Sequence, residues 1–325
     1  MDESEFQILD KGGVAAMEPS VSCEGAFFSR TDTSVSFGGY TSKLLEISPS
    51  ESLEVMYGHR VTGIDQANGT LELREGFGNV RRIGARCILN VSGGESLKIA
   101  KMAEAAKEYS VLHFRGDYWM VGPGMSPRPR HNIYSVPKHS EYPFLDPHYI
   151  IRHDGTAEVG PTASLVSGPD KYPRSDAELR KGPSDLLSRP LMPKARLFLN
   201  REFLSLVREE WRSSASRSHM ARRVKKFLPG MDEKYLTERG LSGIRHSLVD
   251  RSGFVPEAVT IVSGRSFHVL NFNSPGATGA PAYAAYVIGM MGSSGLIDPR
   301  KINTRDGGNR LWGRSLDTVF SAMGY

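Results

Sequence analysis

The chain has 325 residues, 39% of them hydrophobic and 24% charged, two cysteines and a formal net charge of +5, which suits a globular protein with a large core and two domains. No run approaches the ~18 apolar residues that cross a bilayer and no charged–apolar–small signal follows Met1, so a cytoplasmic location without a transmembrane segment is expected. Cys23 and Cys87 are too few and too far apart for a disulfide framework or a thiolate metal site.

The charge is uneven. From Arg189 to Lys226 eleven Lys or Arg stand against Glu202, Glu209 and Glu210, so this segment carries +8 and the remainder −3. Its basic residues alternate with Leu199, Phe203, Leu206 and Trp211 at helical spacing and no nucleic-acid motif accompanies them, so a solvated helix face is expected rather than a nucleic-acid partner. Such a field also steers small anions.

In chain order, residues 1–50 read as loops with turns at Gly12-Gly13 and Gly38-Gly39, apolar stretches around 26–28 and 35–37, and a helix over 40–46. A strand meander follows over 54–57, 59–65, 70–74 and 80–91, with Asn68-Gly69 as a hairpin turn. It runs into Gly93-Gly94 and a helix over 95–108, a strand–glycine–helix corner of the kind that contacts phosphates or cofactors in many α/β proteins. Residues 111–121 form a long strand, 132–136 a short one, and 148–152 with 156–160 a hairpin across Asp154-Gly155. The period then changes to helical over 196–212 and 219–228. Strands return over 244–248, 258–262 and 267–272, and a short helix closes the chain from Leu316. A strand–helix unit early, a mixed block in the middle and a strand–helix unit late imply one domain interrupted by another.

The last of these units, residues 268–291, reads as strand, tight turn and helix, with Ser274 as N-cap and Pro275 at the first helical position. Gly276, Ala277, Thr278, Gly279 and Ala280 make a first turn of small residues. A flat ligand can approach that backbone, and its free N–H groups favour an electron-rich group. Close helix–sheet packing is the alternative use of the same residues.

Six fragments occur in order: Phe114-Arg115-Gly116-Asp117-Tyr118; Tyr134-Ser135-Val136-Pro137; Pro143-Phe144-Leu145-Asp146-Pro147-His148; Asp154-Gly155-Thr156-Ala157-Glu158-Val159-Gly160-Pro161; Gly243-Ile244-Arg245; and His268-Val269-Leu270-Asn271 followed by Ser274-Pro275-Gly276-Ala277-Thr278. Together they resemble the L-2-hydroxyglutarate dehydrogenase/oxidase branch of the FAD-dependent D-amino-acid-oxidase-like superfamily. The resemblance implies an α/β fold: a partial doubly wound FAD-binding domain, residues 1–109 and 250–325, carrying an inserted α+β substrate domain with an antiparallel sheet, residues 110–249. It implies an oxidoreductase that passes a hydride from a small anionic 2-hydroxy acid to FAD. Relatives acting on an amine or on glycerol 3-phosphate, and a non-catalytic remnant, are the alternatives; the electron acceptor is left open.

The resemblance further implies that Val61, Gly93, Ser274, Gly276, Ala277, Thr278 and Gly279 contact FAD. His148 matches the family's strand histidine, and an imidazole suits alcohol deprotonation. Arg245, an arginine in an apolar strand, is the expected carboxylate clamp, since a guanidinium fork pairs with a carboxylate through two bonds. Arg115, Tyr118 and Tyr134 complete the expected substrate contacts, with pinning of its strand to the flavin loop as the alternative for Arg115. The sequence departs from the family in having no Gly-x-Gly-x-x-Gly turn. An incomplete N-terminus, a separate chain supplying that unit, and loss of FAD binding are the three expectations that follow.

Overall fold

The computed structural model describes residues 5–48, 53–76, 78–136, 142, 146–173, 184–273 and 276–298. The expected closing helix from Leu316, together with Ser274, Pro275, Pro137 and 143–145, lies outside them.

In chain order the elements begin with β1 (Phe6–Asp10), α1 (Lys11–Met17), β2 (Gly25–Ser29), α2 (Phe37–Ile47), β3 (His59–Asp65), β4 (Thr70–Glu75), β5 (Val80–Gly84), β6 (Ile88–Asn90) and α3 (Ser96–Met102). They continue with β7 (Ser110–Val121), β8 (His148–Ile151), β9 (Ala157–Gly160), β10 (Ser164–Val166), α4 (Met192–Leu199), α5 (Arg201–Ala215) and α6 (Arg217–Val224). The last are β11 (Leu236–Asp250), β12 (Gly253–Phe254), β13 (Val259–Ser263), β14 (Ser266–Asn271) and α7 (Gly276–Ser293). They fall into two compact units, residues 1–36 with 111–254, and 37–110 with 255–325.

The first unit is built on a six-stranded sheet in the order β12-β11-β7-β9-β8, with β10 also paired to β7. Trp119, Tyr149 and Val159 of this sheet pack on Met220, Val224 and Leu228, and Leu112, Phe114 and Val249 pack on Leu197 and Phe203. The expected single helix over 196–212 is two helices. Asn200 is extended and its side chain accepts from the N–H groups of Glu202 (2.8 Å) and Phe203 (3.2 Å), so it ends α4 and caps α5. Several basic residues of this region face inward: Arg223 pairs with Glu210 at 2.8 Å, and the buried Lys194 donates to the Ser188 carbonyl at 3.1 Å.

The expected domain boundaries need one correction: residues 1–36 belong with the sheet unit, not with the residues around β6 and β14. The reason is a set of hydrogen bonds that short-range patterns do not show. Glu18, 5% exposed, accepts from the backbone N–H of Arg130 and of His131 (both 2.8 Å), and Ser22 N–H donates to the Phe227 carbonyl at 2.9 Å. Gly12-Gly13, expected as a turn, lies inside α1, where Asp10 accepts from Gly13 N–H at 2.7 Å as N-cap.

The second unit holds the meander β3-β4-β5 and a three-stranded sheet β13-β14-β6 in which β14 and β6 run parallel. α3 stops at Met102, short of the expected 108, because Glu104 and Ala106 take φ of 60° and 58°, outside the helical region. The second half of α7 packs on its sheet, Val287 and Met291 against Phe267 and Val269. No helix among the described residues is long and apolar enough to cross a membrane.

Candidate active site

The β8–β9 hairpin closes where its Asp154-Gly155 turn predicts, with Gly155 at φ 82°. It sets His148 opposite Gly160. Gly160 has φ 153°, and a Cβ there would stand 2.7 Å from the Tyr118 ring and 2.8 Å from the Asp117 carbonyl, so only glycine lets β7 lie this close. Tyr118 thereby meets His148 edge-on, with ring centroids 6.0 Å apart, and Tyr134 lies over the same imidazole at 4.4 Å. The guanidinium of Arg152 sits 5.0 Å from the centre of the Tyr118 ring. Three of the expected site residues, His148, Tyr118 and Tyr134, are thus one cluster.

Burial sets the protonation of this cluster. His148 is 7% exposed, and burial, aided by the nearby Arg152 charge, lowers its pKa to about 4 against the opposing hydrogen bond to the Asp146 backbone. Burial likewise pushes the Tyr118 phenol up to about 12. At neutral pH the imidazole is uncharged and the phenol protonated, a proton acceptor beside a proton donor.

Tyr118 also lines a cavity of about 280 Å³ that opens between β7, residues 161–163 and β11 and is bounded by Gly116, Thr162 and Arg245. Arg245 is half-buried, and among the described residues its guanidinium has no ion pair or hydrogen bond; burial lowers its pKa with no opposing carboxylate. An unpaired cation at the wall of a cavity is a ready anion site.

Arg115 is placed differently. Its Nε donates to Asp117 at 2.9 Å and its Nη1 to the Lys171 carbonyl at 3.1 Å. Asp117, 1% exposed, also accepts from Ser214 (2.6 Å) and Ser242 (2.8 Å). The Arg115 fork is therefore engaged, through Asp117, in tying β7 to α5 and β11, and it does not join Arg245 at the cavity.

In the second unit, β6 delivers Asn90, whose Nδ2 donates to the Ser96 carbonyl (2.8 Å) and to His268 Nδ1 (3.0 Å). His268 Nε2 then donates to Ser266 Oγ at 2.8 Å, which makes His268 a buried, satisfied structural residue. Gly93 follows with φ 56°, in the turn that opens α3. An Arg60–Glu95 ion pair of 2.9 Å ties that turn to β3, the strand that carries Val61.

At the start of α7, Ala277 and Thr278 are exposed. A Cβ built on Gly276 or Gly279 would meet only the Phe272 side chain, at 3.6 and 3.5 Å, which is ordinary contact. Packing does not require glycine at either position. The described residues hold no group of three metal-ligating side chains. Sequence reasoning passed over Arg152 and Glu158, whose importance lies in contacts across the sheet that no spacing reveals.

A family profile described as "DAO: FAD dependent oxidoreductase" matches residues 2–290. The chain is 25% identical over 285 residues to L-2-hydroxyglutarate dehydrogenase of Escherichia coli (strain K12), covering 87% of this chain and 65% of that protein. It is 24% identical over 320 residues to the Salmonella houtenae enzyme of the same name, covering 98% and 72%. Against the mitochondrial L-2-hydroxyglutarate dehydrogenase of Nematostella vectensis the identity is 28% over 215 residues, covering 64% and 46%. The chain thus spans about two thirds or less of the length of most of these relatives. Among solved structures, the FAD-bound L-alpha-glycerophosphate oxidase of Mycoplasma pneumoniae aligns with a TM-score of 0.57 at 16% identity, covering 89% of this chain and 65% of that one. Glycine oxidase of Geobacillus kaustophilus aligns at 0.54 and 15%, covering 84% and 59%. These two likenesses are of fold.

Proposed function

The chain belongs to the FAD dependent oxidoreductase family, and from that premise we propose that it carries the substrate-handling part of an enzyme oxidising a small 2-hydroxy acid of the L-2-hydroxyglutarate kind. The observation that carries this reading is the half-buried Arg245, unpaired among the described residues, at a cavity shared with Tyr118, whose ring abuts the neutral His148.

The residues present fit the flavin-ring end of FAD: Gly276, Ala277, Thr278 and Gly279 form an open turn with no packing need for glycine, and Gly93 and Val61 flank a strand–turn–helix corner. Ser274 joins this set as an assignment outside the described residues. Bound there, FAD would supply the acceptor for the hydride released from the substrate α-carbon. Arg245 clamps the substrate carboxylate through its planar fork. One nitrogen of the His148 imidazole is occupied by the Asp146 backbone, and the other, uncharged at neutral pH, takes the hydroxyl proton. Tyr118 and Tyr134 wall that imidazole and exclude water from it. Arg115 acts at one remove, fixing β7 through Asp117.

The decisive experiment is anaerobic reduction of flavin-loaded protein, followed by loss of flavin absorbance, with L-2-hydroxyglutarate, glycerol 3-phosphate and glycine compared. Reduction by the hydroxy acid at the lowest concentration is expected. Reduction by glycine or glycerol 3-phosphate alone would replace the proposal with a reading as an amine or glycerophosphate enzyme.

A further inference from the structure

The cluster around His148 depends on a side chain that takes no part in the steps above. Arg152 directly follows β8, and its Nε donates to Glu158 at 2.7 Å. Glu158 is 2% exposed and also accepts from Leu241 N–H at 3.3 Å, on the strand that carries Arg245. The room for this carboxylate comes from Gly240, where a Cβ would stand 2.9 Å from Glu158 Cδ. A buried carboxylate with two anchors holds its guanidinium in one place, and that place is over the face of Tyr118.

We propose that Arg152, locked by Glu158, is the positioning residue of this site, holding the Tyr118 ring against His148 and keeping a fixed positive charge within reach of the imidazole. The proposal rests on the reading of His148 as the base. A neutral base must stay unprotonated, and a cation held nearby penalises the imidazolium while leaving the neutral ring untouched. The other titratable groups about the imidazole are Tyr118 on β7, Tyr134 with Asp32 acting on it, Glu158 on β9, and Asp146, which lies 3.8 Å from Arg223. Of the charges that act on His148 itself, Arg152 is the one that disfavours its protonation.

The test uses the chain itself and needs no flavin. With isotopically labelled histidine, NMR titration follows His148 in wild type, Arg152→Gln and Arg152→Lys, with His246 on β11 as internal control, since burial, then His113 and Arg245, set its own pKa of about 4. The expected result is that Arg152→Gln raises the His148 midpoint by roughly 0.5 pH unit or more, that Arg152→Lys restores most of the wild-type value, and that His246 stays put. An unmoved His148 in Arg152→Gln overturns the proposal. So does a joint rise of His148 and His246, which reports a loosened fold, and so does a rise in Arg152→Lys as large as in Arg152→Gln. Failure of the hydroxy-acid reading registers separately: flavin reduction that survives His148→Gln removes the base role while the titration result stands.

Discussion

A guanidinium withdrawn from water without a counter-charge is unfavourable unless an anion joins it, and Arg245, with no counter-charge among the described residues, sits in that condition at a cavity wall. Arg245→Lys is expected to raise KM for 2-hydroxy acids more than about tenfold, since a point-charge ammonium cannot reproduce a two-bond clamp and a charge-assisted bond contributes ~1.5–3 kcal/mol. Steady-state kinetics on protein supplied with a Gly-x-Gly-x-x-Gly nucleotide-binding unit and loaded with flavin checks this, and an unchanged KM would remove Arg245 from the site. The histidines give a second expectation at this scale. Burial lowers the folded-state pKa of both His148 and His246 to about 4, below the ~6.5 of an unfolded histidine. The unfolded chain therefore binds more protons between these values, and the native state is fully favoured above the unfolded value and loses stability as pH falls toward 4. The slope is about 1.4 kcal/mol per pH unit for each histidine at most. Urea melts at pH 7.5 and 5.0 should show a lower midpoint in acid, and His148→Gln should remove part of the difference. A midpoint independent of pH would mean that the two rings are not buried and neutral.

Between elements, the strand–turn–helix of β14 and α7 shows how one segment divides its labour. Val287 and Met291 do the packing, late in the helix, while Gly276 and Gly279 in the first turn would meet only the Phe272 side chain, at ordinary contact. In protein supplied with a Gly-x-Gly-x-x-Gly nucleotide-binding unit, Gly276→Val is therefore expected to abolish flavin retention and leave the melting temperature nearly unchanged, since valine in a helix start is no worse than glycine in propensity. Bound flavin and melting temperature, measured together, decide it. Retained flavin with a lowered melting temperature would show that the turn packs against the interior, where overfilling costs ~1–3 kcal/mol. The β8–β9 hairpin is the corresponding device in the other unit: its Asp-Gly turn fixes a register that puts His148 opposite Gly160, and the absence of a side chain at Gly160 lets Tyr118 reach the imidazole.

For the molecule as a whole, the cofactor is the open balance. A flavin dinucleotide is gripped at its pyrophosphate by a glycine turn and a helix N-terminus, and no Gly-x-Gly-x-x-Gly occurs among the 325 residues. The chain by itself is expected to purify with little flavin. A yellow preparation with one FAD per chain would overturn this and point to a different mode of holding the nucleotide.

Much of this was legible from residue order alone. The Asn68-Gly69 and Asp154-Gly155 turns, the long strand through Tyr118 and the strand–turn–helix at 268–291 rest on local chemistry, turn residues and periodicity, which act over a few positions and so are written in the sequence. His148, Tyr118, Tyr134 and Arg245 were singled out one by one through their resemblance to a family pattern. That His148, Tyr118 and Tyr134 share one cluster, that Arg245 has no counter-charge among the described residues, and that Asp117 ties its strand to Ser214 and Ser242 are facts of how strands and helices meet. The attachment of residues 1–36 to the sheet unit turns on the Glu18 carboxylate reaching the N–H groups of Arg130 and His131, and Arg152 acquires its place from Glu158 and the Tyr118 ring. Apart from the Arg152–Glu158 pair, six residues apart across its hairpin, such contacts join positions far apart in the chain, and whether a charge is paired or free depends on which strands meet, so only the tertiary structure decided them.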